Sequence, residues 1–80
     1  MTLTELKYII ALAKEKHFGR AAIACHVSQP TLSVAVKKLE DELGVQIFQR
    51  HTADVSLTPT GNLLIEQAQL VIQEVKRFTE

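Results

Sequence analysis

The stretch from Ala21 to Leu43, AAIACHVSQPTLSVAVKKLEDEL, constrains this chain more than any other. Read at helical periodicity, it is a short helix, a tight turn at His26-Val27 and a longer helix opened by Ser28. The Ser28 hydroxyl can accept from an orphan amide of the first turn, and Pro30 falls inside that turn, where a missing N–H costs nothing. Leu32, Val36, Leu39 and Leu43 then recur at four, three and four residues, which makes one apolar stripe. Gln29, Pro30, Thr31, Ser33, Val34, Lys37 and Lys38 are left on the outer faces. Small hydrogen-bonding residues at the start of a helix, with two lysines soon after, suit entry into a DNA groove. The stretch reads as a helix-turn-helix.

Eighty residues make one small domain near the lower end of what can bury a core alone. Nine basic and nine acidic side chains give a net charge of zero, which taken alone argues against nucleic acid. Their distribution argues the other way. Lys16, Arg20, Lys37 and Lys38 fall in a segment without an acid, and Glu40, Asp41 and Glu42 gather at the far end of the longer helix. A local basic face can bind phosphates in a neutral protein. No apolar run is long enough for a membrane, and MTLTELKY lacks a signal-peptide pattern. The single cysteine rules out an internal disulfide and fits a reducing cytoplasm.

From the start of the chain, Thr2 and Thr4 are both plausible caps for a first helix, with Glu5 in the turn where the dipole favours an acid. Leu3, Leu6, Ile9, Ile10 and Ala13 give its period, and it should end near Lys16. His17-Phe18-Gly19 is the expected connector, with Phe18 as a core plug, and Gly19 or Arg20 opens the second helix. Cys25 shares a face with Ala21 and is expected to point inward as a small buried hydrophobe. His26 takes the turn position, where a positive φ is plausible.

After Leu43, Gly44 reads as the residue that ends the helix, with Val45 covering the last turn. VQIFQR, the turn HTAD and VSLT form a short β-hairpin, the wing of a winged helix-turn-helix, with Arg50 and His51 at its tip. Thr58 and Pro59 then open a last helix that runs to Glu80. Leu64, Ala68, Val71, Val75 and Phe78 form a seam along it, widened by Ile65, Leu70 and Ile72. Such a helix is about 33 Å long, more than a domain of this size covers, so dimerisation through this seam is expected.

No catalytic set emerges: there is no glycine-rich phosphate loop and no nucleophile with a positioned base. His17, Cys25 and His26 lack metal-site spacing, and no cofactor is implied. The chain therefore reads as a non-enzyme, mainly α, with residues 1–58 as winged helix and 59–80 as a linker and dimerisation helix. The rival reading is a winged-helix protein-interaction module without DNA binding.

FGRAAIACHVSQPTLSVAVKKLEDELGVQIFQR, then LTPTG and a long helix, resembles the N-terminal DNA-binding domain of LysR-type transcriptional regulators over essentially the whole chain. HFGRAA, CHVSQPTLS and KKLEDELGV are more particularly similar to the hydrogen-peroxide-responsive OxyR branch. The resemblance implies a bacterial regulator that binds an interrupted dyad-symmetric operator as a homodimer, tetrameric at full length. Its last helix would pair protomers and lead to an effector-sensing domain that this stretch does not include. Base and phosphate contacts carried over fall on Gln29, Pro30, Thr31, Ser33, Lys37 and Arg50, with Val34, Lys38 and Arg20 added by their position. The expected pairing surface is Leu64, Ala68, Val71, Ile72, Val75 and Phe78. Two departures stand out: Val34 and Ala35 replace a more polar pair, and Asp54 makes the wing less basic.

Overall fold

The computed structural model describes residues 1–51 and 54–80, which form four helices and a two-stranded antiparallel sheet. Helix α1 runs Leu3–Glu15, and of the two candidate caps it uses Thr2. The Thr2 hydroxyl accepts from the Glu5 amide at 3.0 Å, and the Glu5 carboxylate accepts from the Thr2 amide at 2.8 Å. That reciprocal pair satisfies two orphan donors and explains why Glu5 is buried. Lys16 ends the helix at φ 58°.

Helix α2 runs Phe18–Ala24, so it opens earlier than the sequence suggests. His17 is its cap: the Nδ1 atom accepts from the Arg20 amide at 3.1 Å. Histidine is a rare cap, which is why the pattern offered only a connector here. His26 does sit at φ 58°, and the Val27 amide donates to Ala22 O across the turn. Helix α3, Gln29–Leu43, starts as expected, with Ser28 Oγ accepting from the Thr31 amide. It ends at Gly44, φ 68°, where the Val45 amide reaches Glu40 O and the Gly44 amide reaches Asp41 O.

The wing is shorter than VQIFQR and VSLT imply. Strands β1, Phe48–Arg50, and β2, Val55–Leu57, pair as Phe48 with Leu57, Gln49 with Ser56 and Arg50 with Val55. Of the expected turn HTAD, Thr52 and Ala53 lie outside the described residues. A ribbon this small needs support from the helices. Phe48 and Val55 supply it by burial, and the Val55 amide donates to Lys16 O at 3.2 Å. Glu40 adds a second tie, accepting from the Ile47 and Phe48 amides at 2.8 and 3.2 Å.

One core joins all these elements, built on Ile9, Leu12, Ala21, Leu32, Val36, Leu39, Ile47, Phe48 and Val55. Leu43 departs from the expected stripe and is 40% exposed, because the chain turns away at Gly44 before anything covers it. Helix α4, Pro59–Thr79, is capped by Thr58 and completes the core with Gly61, Ile65 and Ala68. Ala68 was expected in the seam between protomers. It is instead buried in the chain's own core, and Leu64 is half-buried against that core.

Candidate nucleic-acid interface

The first turns of α3 separate two sets of side chains. Leu32, Val36 and Leu39 are at most 1% exposed, and together they hold the helix down. Gln29, Pro30, Thr31, Val34, Lys37 and Lys38 stand exposed above them, while Ser33 is half-buried. Val34 is 68% exposed, an apolar side chain that the core does not use. Thr31 Oγ1 lies 2.8 Å from Ser28 Oγ, so its hydroxyl is oriented by the cap while the residue stays exposed.

The basic residues differ in how free they are. Lys37 Nζ lies 3.5 Å from Asp41, one turn along, with both side chains 69% exposed. Such a surface pair contributes little and exchanges readily for a phosphate. Lys38 is exposed as well. Arg20 is more committed: its Nη2 donates to Glu15 O at 3.1 Å and its Nε is 4.0 Å from the Glu15 carboxylate. It ties α2 to the end of α1.

Arg50 is placed differently from a reaching wing-tip residue. It ends β1, and its guanidinium lies over the Phe18 ring, 5.0 Å from the centroid. From there it lines an open groove of about 380 Å³ together with His17, Gly19, Gln29 and Ser33. The fold thus brings Arg50, expected on the wing, beside Gln29 and Ser33, expected together on the longer helix. It does not bring Arg20 there. His51 beside it contacts Ser56 across the ribbon at 2.9 Å.

The acids at the end of α3 are partly engaged by the fold itself. Glu40 serves the backbone before β1, and Glu42 accepts from the Met1 ammonium at 2.6 Å. That hydrogen bond holds the Glu42 carboxyl below the usual carboxylate range and raises the amine above its own. Cys25 is half-buried rather than sealed, and its burial pushes the thiol up. Among the described residues no group of three histidine, cysteine or acidic side chains could hold a metal ion. No described helix is long and apolar enough to cross a membrane.

Two residues of this surface were missed by reading the sequence. By sequence Phe18 reads as a core plug and His17 as part of a connector. A histidine three residues before an arginine carries no cap signature, and the ring's second use depends on where β1 ends.

Comparison with known proteins adds a family model, described as bacterial regulatory helix-turn-helix protein, lysR family, which matches residues 3–62. A hydrogen peroxide-inducible genes activator from Pectobacterium carotovorum is 52% identical over all 80 residues, and the chain spans 26% of its length. Among solved structures, a full-length OxyR variant from Pseudomonas aeruginosa superposes with a TM-score of 0.94 at 62% identity, covering 99% of this chain and 27% of that one. A CbnR DBD–DNA complex superposes with a TM-score of 0.95 at 33% identity, covering 99% of this chain and 91% of its own.

Proposed function

We propose that this chain, which belongs to the lysR family of bacterial regulatory helix-turn-helix proteins, binds duplex DNA by laying the N-terminal half of α3 in the major groove. The observation that carries the reading is the split along α3: Leu32, Val36 and Leu39 anchor it, and Gln29, Thr31, Val34 and Lys37 stand exposed on the outside. The DNA bound by CbnR, on the fold this chain shares, supports it. An interaction module with no nucleic-acid role would not need polar side chains held clear of the body at that point.

The chemistry follows from the side chains. Gln29 can present its amide to both edge atoms of an adenine, and Thr31 or Val34 can meet a thymine methyl. Ser33, half-buried beside them, serves base edges or backbone, and Pro30 sets the start of the helix against the duplex. Lys37, Lys38 and Arg50 hold phosphates and fix register, with Arg20 contributing from α2. A second protomer joins through the distal part of α4, at Val71, Ile72, Val75 and Phe78. Two recognition helices then meet successive major-groove segments about 34 Å apart or a multiple of it, which calls for a dyad-symmetric operator.

At the level of the parent protein, the names of its relatives support a regulator of hydrogen-peroxide-inducible genes, at work in the cytoplasm where such operators lie. It is not an enzyme.

Selection from a pool of random duplexes tests the central reading. The chain should enrich related half-sites in dyad arrangement; a pool left without any shared sequence would sink the proposal. On the enriched duplex, Gln29→Ala should cost about 1–3 kcal/mol and relax the preference at one base pair. Lys37→Ala should weaken every duplex alike and flatten the dependence on salt. A uniform loss for Gln29→Ala, with all base preferences intact, would remove that residue from base reading.

A further inference from the structure

We infer that Phe18 is a positioning residue for DNA binding, its ring holding the Arg50 guanidinium ready in the groove beside Gln29 and Ser33. The inference rests on the DNA-binding reading above and concerns a residue with no polar group of its own. Its starting point is distance: the guanidinium carbon lies 5.0 Å from the ring centroid, inside the range of about 6 Å over which a ring face attracts a cation.

Three further observations make this more than a chance approach. The ring is fixed, because Phe18 is the first residue of α2 and packs half-buried against the core. The strand that carries the arginine is fixed as well. Arg50 pairs with Val55, and Val55 is both buried and bonded through its amide to Lys16 O, two residues before Phe18. Finally, Asp54 lines the same groove, yet neither it nor any other described carboxylate makes an ion pair with Arg50, which leaves the ring as the contact seen at the guanidinium.

The consequence concerns entropy. A free arginine at the end of a strand samples many rotamers and loses that freedom when it binds. An arginine already resting on a ring loses less, and its fork is aimed before the duplex arrives. Gly19 lines the same groove, and a Cβ there would crowd the His17 ring at 2.9 Å and touch Gln29 Oε1 at 3.8 Å. The wing cation therefore meets the duplex already oriented, in the groove that Gln29 also lines.

The test is a double-mutant cycle on the duplex enriched by the unaltered chain. Phe18→Leu should weaken binding about three- to fivefold when Arg50 is present, the size of an exposed cation–ring contact. In an Arg50→Ala background the same change should have no further effect, and Phe18→Tyr should bind like the unaltered chain. Equal losses in both backgrounds would make Phe18 a packing residue only, and no loss in either would also overturn the inference. A measurement without any variant guards against a misfolded Phe18→Leu. In the free chain the Arg50 δ-methylene protons should be shifted upfield by the ring current, and random-coil positions would refute the contact. If no duplex is enriched at all, the DNA-binding reading fails while the ring-current result still stands or falls by itself.

Discussion

The two halves of α4 carry the same apolar spacing and use it in opposite ways. In the proximal half, Gly61, Ile65 and Ala68 are buried against the body, and Leu64 is half-buried beside them. In the distal half nothing is fully buried: Ile72 and Val75 are half-covered, Leu70 and Val71 are exposed, and Phe78 is 91% exposed. The reason is length. Helix α1 has 13 residues, about 20 Å, and α4 has 21, about 32 Å, so the first cannot cover the second. A seam read from sequence says which side of a helix is apolar. It does not say whether the cover comes from the same chain or from another.

The docking of the proximal half depends most on Gly61. A Cβ there would collide with the Ile47 carbonyl oxygen and lie 2.8 Å from its carbon, and backbone cannot step aside as a flexible side chain can. Ile47 is also held by Glu40 and by the Thr58 amide, which donates to Ile47 O at 3.0 Å. Gly61→Ala should therefore lower stability by about 3 kcal/mol, the upper end for overpacking, in urea unfolding followed by circular dichroism. An unchanged midpoint would mean that the proximal half docks far more loosely than these contacts imply.

A change in the distal half should do the reverse. Val71→Glu combined with Phe78→Glu places charge on side chains that the chain's own core does not touch. Self-association in sedimentation velocity should weaken at least about tenfold, worth about 1.4 kcal/mol. The unfolding midpoint at high dilution, where protomers are apart, should hardly move. If the fold collapses with the dimer, the two halves are one cooperative unit and the division is wrong.

What could be read beforehand follows the same division between local and distant causes. Ser28 with Pro30, Thr58 with Pro59, Gly44 and His26 each do their work within a turn of their own position, and the structure has them as expected. The exposed face of α3 was legible for the same reason, since its buried leucines fix where the remaining residues point. Leu43, Ala68 and Glu40 were not legible. Leu43 continues a perfect spacing but lies past the last element that could cover it. Ala68 fits a seam between chains as well as a packing site on α1. Glu40 looked like one of three surface acids, and only the return of the chain at Ile47 shows the amides that it accepts from. The pairing of Arg50 with Phe18 spans 32 positions of sequence and no periodicity reports it.

Cys25 marks where one half of α4 gives way to the other. Cys25 lines a groove with Tyr8, Ile10 and Ile72, so it sits where α4 begins to leave the body. Burial raises its thiol pKa, which lowers the thiolate fraction at neutral pH and slows alkylation. In linkage terms, any stability tied to this thiol is present below the ordinary thiol range and is lost as pH rises through the folded value. Near neutrality that effect is silent, and the alkylation rate is the readout. Iodoacetamide at pH 7 should label Cys25 severalfold more slowly in the folded chain than in urea. Ile72→Ala should open the groove and move the rate part of the way back, whereas Phe78→Glu, further out along the same helix, should leave it unchanged. Equal acceleration by both would place the boundary beyond Phe78 and make the distal half part of the folded body after all.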